Sequence, residues 1–313
     1  MLKEALICRT KKVGFKTNKK LTIGLCVKNS ANVVKTAFDC ISIQDYPHEL
    51  LKLVIVDNGS TDKTLSLAKK FAKETDINTF VILNKGKGLG ASRQIAVNNA
   101  EGDYILFEDD DLVLSKDFVR NQLAFMENNP NVGAAEGIYL QVQQKNSLGR
   151  FVGARYIRDS RYPKTIGTGG AIFRLKALES VGGFDSRMGA QEDVDISRRL
   201  TKAGWLLAAN NSAGLYAKHP LTSLTALWRK NRWYGYGNHY QFHKYNDHSL
   251  IMIYFPPLVL WGAIKISYLT YRVTKRKGDF VFSIFYSLSL LAHHIGFIQA
   301  HLDGHGHSIA TKD

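Results

Sequence analysis

Four consecutive carboxylates, Glu108-Asp109-Asp110-Asp111, follow directly on the apolar run Tyr104-Ile105-Leu106-Phe107. The run reads as a buried strand. Acids at the mouth of such a strand are costly to fold around unless a cation neutralises them. A hard divalent ion, Mg²⁺ or Mn²⁺, suits carboxylate oxygens and is commonly shared with a substrate phosphate. Two more acidic positions have related settings. Asp57 closes the apolar run 51–56, and Gln191-Glu192-Asp193-Val194-Asp195 opens a stretch with Ile196 and Leu200 at helical spacing. Acids in a helix's first turn complement its dipole, which is their purely structural use. Their chemical use is to grip a divalent cation shared with a substrate phosphate.

Such acids act together only if the fold carries them to one place. Residues 21–27, 51–56, 80–83 and 103–107 read as strands, and between them lie stretches with helical periodicity. Asn29 or Ser30 is a candidate cap for the first helix, Ser60-Thr61-Asp62 opens the second, and residues 90–99 form a short third. Repeated βαβ units predict a largely parallel sheet covered on both faces. Ligands of such sheets sit beyond the carboxyl ends of the strands, where both Asp57 and Asp109 fall. Residues 141–215 read as more irregular, with Gly167-Thr168-Gly169-Gly170 before the apolar Ala171-Ile172-Phe173.

The 313 residues suffice for one large α/β domain with an appendage, and 45% hydrophobic residues exclude a disordered chain. Cys8, Cys26 and Cys40 have no metal-ligand spacing, and their odd count argues against a disulfide framework. Residues 1–20 form a basic segment without the apolar core of a signal peptide. The net charge of +15 fits anionic lipid or phosphorylated small molecules. Without a zinc-finger, RNP or basic-helix pattern, nucleic acid is not an expected partner.

In order along the chain, Val56-Asp57-Asn58-Gly59-Ser60-Thr61-Asp62, Phe107-x-Asp109-x-Asp111 and Gln191-Glu192-Asp193 resemble the motifs of family 2 glycosyltransferases. The likeness covers about residues 21–240. It implies a GT-A fold, the α/β, Rossmann-like fold of nucleotide-diphospho-sugar transferases, over residues 21–225. On this resemblance Asp57 holds the nucleotide's base or ribose, and Arg93 faces the nucleotide and its phosphates. Asp109, Asp110 and Asp111 belong to the donor site, with Asp109 and Asp111 matching the motif that contacts ribose and metal. Asp193 matches the catalytic base, with Glu192 beside it. Gly169 and Gly170 match a pair lining the acceptor side. Arg229-Lys230-Asn231-Arg232-Trp233 resembles the Gln-x-x-Arg-Trp motif of the processive, membrane-bound branch, which assigns Arg232 and Trp233 to the acceptor side. Arg229 stands in place of the glutamine, so processivity is not carried over. His219 falls where some relatives have a histidine near the metal. The resemblance implies a nucleotide-sugar donor, a divalent cation and an inverting transfer to a hydroxyl.

Two other functions fit parts of the pattern. A sugar-phosphate nucleotidyltransferase shares the α/β scaffold and the metal, but its glycine-rich phosphate loop would follow the first strand, where this chain has Lys28-Asn29-Ser30-Ala31-Asn32. A non-catalytic, membrane-bound sugar-nucleotide-binding protein would need none of the acids at Asp57, Asp109, Asp111 and Asp193 together. Residues 226–313 read as a membrane-associated helical region, because 250–271 and 280–302 are apolar stretches of spanning length. Two full spans would place Arg272, Lys275, Arg276 and Lys277 on the far side, against the positive-inside tendency. A single span over 280–302, or two helices lying on the surface, avoids that conflict. The expected setting is the cytoplasmic face of the cell membrane, with a lipid-linked or membrane-proximal glycan as acceptor. His301, His305 and His307, in a glycine-containing tail, read as unstructured rather than as metal ligands.

Overall fold

The computed structural model describes residues 18–140, 147–154, 163–217, 223–246, 261–265, 267–268, 271 and 276–305. Described residues up to 217, apart from 147–154, make one compact unit. Residues 147–154 and those from 223 onward make a second.

In the first unit the strands β1 (Leu21–Val27), β2 (Leu51–Asp57), β3 (Asn78–Leu83) and β4 (Tyr104–Glu108) are parallel neighbours. The helices α1 (Val34–Ser42), α2 (Thr64–Glu74) and α3 (Leu89–Asn98) link them. Strict alternation fills both faces. Leu51, Leu53 and Ile55 of β2 and Tyr104 and Leu106 of β4 enter one core, with Val34, Phe38 and Ile41 of α1. Val54, Val56, Ile105 and Phe107 enter the opposite core, with Ala96 of α3. This is the two-faced burial that parallel strands require.

The chain continues through β5 (Leu112–Leu114), α4 (Phe118–Asn128), β6 (Val132–Tyr139), α5 (Ser147–Ala154, in the second unit), β7 (Ala171–Arg174), α6 (Leu175–Ser180), α7 (Glu192–Lys202) and β8 (Leu206–Ala217). The eight strands form one sheet in the order β3-β2-β1-β4-β7-β6-β8-β5. β7 runs antiparallel to β4 and β6, and β5 antiparallel to β8. The sheet is therefore mixed, where a largely parallel one was expected. The parallel half has the expected strands within two residues. The other half is hard to read because β5 has only three residues and β8 carries Asn210, Asn211 and Ser212 in its midst.

One capping expectation is corrected. α1 begins after Val33 with no side-chain cap, and the Ser30 backbone carbonyl accepts the Val33 and Val34 N–H groups at 2.9 and 2.8 Å. The side chains of Asn29 and Ser30 serve the site described below.

In the second unit α8 (Leu224–Tyr245) packs on α9 (Phe282–Leu302). Their backbones meet closely. A Cβ on Gly235 would overlap the His293 carbonyl, and one on Gly296 would overlap the Arg232 carbonyl. No helix among the described residues is long and apolar enough to cross a membrane. The expected spanning helix over 280–302 is corrected accordingly: α9 carries Ser283, Ser287, Ser289, His293, His294, Gln299 and His301 along its length. Residues 250–260 of the other apolar stretch lie outside the described residues.

Candidate active site

The parallel strands end together, and their ends hold the acids. Asp57, the last residue of β2, lies in register with Val27 and Leu83. Its Oδ1 accepts the backbone N–H groups of Gly59 (3.1 Å) and Ser60 (2.8 Å), a local turn in which Gly59 takes φ +75°. Its Oδ2 is buried with no hydrogen-bond partner. A buried acceptor left open costs about 1–3 kcal/mol, which a ligand's donor recovers. Asn29, at φ +52°, accepts the Thr61 N–H at 2.8 Å and so ties the end of β1 to this loop.

Beyond β4 the carboxylates divide by environment. Glu108 is 1% exposed, both its oxygens lack partners, and burial holds its carboxyl well above the usual carboxylate range. Asp110 accepts a hydrogen bond from the Ser30 hydroxyl, yet burial and then the charges of Asp111 and Asp109 raise it to about 6. Asp109 and Asp111 are half-buried. Gly169 lies against Asp109, since a Cβ there would overlap Asp109 Oδ2. Gly170, at φ +73°, donates its N–H to the Phe107 carbonyl at 2.8 Å and so fixes the turn onto β4.

Arg93 joins this group to the third acidic motif. The side chain is 3% exposed, packed with its Cζ 5.8 Å from the Phe107 ring centroid. Its Nη2 donates to Asp109 Oδ1 at 3.3 Å, and its Nη1 pairs with Glu192 Oε1. Phe107, Phe173 and Phe184 pack edge to face beneath it, with centroids 5.4–5.9 Å apart. Both ends of the fork are therefore spent on carboxylates, a burial that one unpaired guanidinium would not tolerate. Glu192 and Asp193 occupy the first turn of α7, which starts after Gln191 in a left-handed conformation. Asp193 Oδ1 accepts the Val194 N–H at 2.8 Å. Burial raises both carboxyls, and Arg93 opposes the rise in each.

The structure thus gathers Asp57, Arg93, Asp109, Asp110, Asp111, Gly169, Gly170, Glu192 and Asp193 within the first unit. Arg232 and Trp233 lie on α8 of the second unit, where Arg232 Nε donates to Gln299 Oε1 of α9 at 3.0 Å. His219 lies outside the described residues. Ser30 and Glu108 are site residues that the motifs do not single out. Ser30 pairs with an acid 80 positions away, which no local pattern signals. Glu108 is legible as the first acid of its run.

The donor set fits a hard divalent cation. Asp109 and Asp111 offer oxygen ligands only, burial and then the neighbouring carboxylates push Glu108 and Asp110 toward the neutral form, and Gly169 lets the Asp109 carboxylate lie against the backbone.

Comparison with known proteins places the family and the fold. The family described as "Glycosyl transferase family 2" matches residues 22–179, and "Glycosyl transferase family group 2" matches residues 104–298. The poly-beta-1,6-N-acetyl-D-glucosamine synthase of Staphylococcus epidermidis is 26% identical over 300 residues, 88% of this chain and 71% of its own. The poly(ribitol-phosphate) beta-N-acetylglucosaminyltransferase TarS of Staphylococcus aureus is 26% identical over 110 residues. That match covers 35% of this chain but only 19% of TarS. Among solved structures, the mannosyltransferase PcManGT of Pyrobaculum calidifontis, in complex with GDP-Man and Mn²⁺, superposes with a TM-score of 0.65 at 17% identity, covering 90% of this chain and 88% of its own.

Proposed function

The chain belongs to glycosyl transferase family 2 and is a glycosyltransferase, and from that premise we propose an inverting transfer of a sugar from a nucleotide-diphosphate donor to a hydroxyl, with Asp193 as general base. The observation that carries this reading is the Arg93 bridge, which binds Asp109 of the strand-end acids to Glu192 beside Asp193. The strand-end acids and the proposed base thereby lie beside one buried guanidinium.

Each residue has a part that its surroundings support. Asp57 Oδ2 accepts a donor group of the base or ribose. Asp109 and Asp111 would hold a Mg²⁺ or Mn²⁺, a reading supported by the GDP-Man and Mn²⁺ bound in the PcManGT complex. A divalent cation bound there offsets the charge of the leaving diphosphate. Arg93 is a positioning residue that fixes Asp109 and Glu192. Asp193 takes the proton of the attacking hydroxyl, and its raised pKa makes it a stronger base than an ordinary aspartate. The leaving diphosphate needs no protonating acid, so one carboxylate on the far side of the sugar suffices, by the geometry that also governs inverting glycosidases.

The proposed setting is a membrane surface, with a lipid-linked or membrane-proximal acceptor on its cytoplasmic side. Ile284, Leu291, Ile295, Ile298 and Leu302 form an exposed apolar stripe along α9, and the net charge of +15 favours anionic lipid.

The test is a donor panel that includes UDP-GlcNAc and GDP-Man, with released nucleoside diphosphate as readout in the presence of Mn²⁺. Asp193→Asn is expected to lose turnover and keep donor binding. Full turnover in that variant contradicts the base assignment. Consumption of a nucleoside triphosphate with release of pyrophosphate would favour the nucleotidyltransferase instead.

A further inference from the structure

The second unit holds a cluster that the transferase reading does not use. His239 and His243 lie one turn apart on α8, and His301 lies in the last turn of α9. One ring nitrogen from each falls within 4.8 Å of the other two. His239 Nε2 is 3.2 Å from His301 Nδ1 and 3.2 Å from His243 Nε2. In a tetrahedral site with Zn–N bonds of about 2.0–2.1 Å, ligand nitrogens stand roughly 3.3 Å apart. The two spacings from His239 match that value, and the third pair, His243 and His301, lies within 4.8 Å.

His239 supplies the independent sign of a metal ligand. It is 1% exposed, and its Nδ1 lies 2.6 Å from the His305 backbone carbonyl. A carbonyl only accepts, so Nδ1 carries the proton and Nε2 presents its lone pair to the other two histidines. Metal-bound histidines show this arrangement: the outer N–H is held by a carbonyl, which fixes the tautomer and orients the ring. The Tyr236 ring stacks on the His305 ring at 4.7 Å and holds the segment that carries this carbonyl. Exposure rises from buried His239 through His243 to exposed His301, so the cluster opens to solvent on one side. That side leaves room for water as a fourth ligand.

We propose that His239, His243 and His301 bind a divalent cation of the zinc class and that this ion fastens the C-terminal end of α9 to α8. Three imidazole nitrogens select Zn²⁺ and its neighbours in the first transition row over Mg²⁺ or Mn²⁺, which prefer oxygen. The site is thus chemically distinct from the carboxylates of the first unit, and it stands whether or not the transferase mechanism is right.

The test uses the full chain after removal of metal with a chelator, titrated with Co²⁺ and Zn²⁺. One equivalent of Co²⁺ is expected to bind with the visible absorption of a low-coordinate, nitrogen-ligated ion, and Zn²⁺ is expected to displace it. The same equivalent persists in Asp109→Asn/Asp111→Asn, which removes the carboxylate site. His243→Ala and His301→Ala, both at positions open enough to keep the fold, are each expected to weaken binding by more than the roughly 10–100-fold that loss of an outer partner costs. Circular dichroism checks the fold of each variant. Unchanged affinity in folded His243→Ala and His301→Ala, or no bound equivalent in the wild-type chain, overturns the proposal.

Discussion

The first unit gathers carboxylates and the second gathers imidazoles, and the two clusters handle charge in opposite ways. Around Asp109 the acids repel one another. Asp110 is raised to about 6, and Glu108 and Asp193 are raised as well, each by burial first. Among the described residues, Arg93 is the counter-charge buried with them. Around His239 the ligand atoms are uncharged when deprotonated, and the His305 backbone carbonyl holds the buried ring's Nδ1. Crowded oxygens suit a hard cation that an anionic substrate can share. Converging imidazole nitrogens suit a zinc-class ion instead.

The sharpest way to break this contrast is to remove the base. Asp193→Asn should lower kcat by roughly 10²–10⁴-fold with donor affinity kept, as measured by turnover and by direct titration of the donor. His243→Ala should leave that turnover within a few-fold while abolishing the nitrogen-ligated Co²⁺ spectrum. Equal losses in both variants would merge the two regions into one site.

Next in size is Arg93. Arg93→Met leaves Glu192 and Asp109 without their buried partner, and loss of one member of a buried pair costs about 3–5 kcal/mol, read as a shift in the denaturation midpoint. Gly169→Ala is more local. Its Cβ must displace Asp109 Oδ2, so Mn²⁺-supported donor binding should weaken while the denaturation midpoint moves little. Unchanged donor binding would separate Asp109 from the donor site.

The smallest effect is a slope. The folded chain keeps a proton on Asp110 up to about 6, whereas the unfolded chain releases it near the ordinary aspartate value of 3.8. The folded state then binds more protons across that window, so stability falls as pH rises from about 4 to about 6. Glu108 and Asp193 add in the same direction. In Asp110→Asn the slope should flatten, and Mg²⁺ or Mn²⁺ should flatten it in the wild-type chain. Denaturant titrations at several pH values without divalent ions read it directly.

What the sequence makes legible follows from range. β2 and β4 are readable because their apolar runs end on Asp57 and Glu108, and the parallel arrangement of such strands places both at one edge. The acids of α7 are readable as a helix start. Their union through Arg93 is not, since it joins residues 99 positions apart. The histidines show the same limit. His239 and His243 are four residues apart on α8, a spacing that puts both on one helix face and is open to reading. Their partner His301 lies 62 positions beyond His239, and only the close approach of α8 and α9 at Gly235 and Gly296 reveals it. By sequence, His301 groups with His305 and His307 in an unstructured tail. The structure instead uses the ring of His301 and the backbone carbonyl of His305, while His307 lies outside the described residues.

The anomeric configuration of the first-formed sugar tests the proposed chemistry most directly. Proton NMR during Mn²⁺-supported turnover of whichever α-linked donor is accepted should show the β-anomer first, because a single base on the far side of the sugar permits one displacement. An α-anomer formed first would mean two displacements or a nucleophilic carboxylate, and would contradict the role given to Asp193.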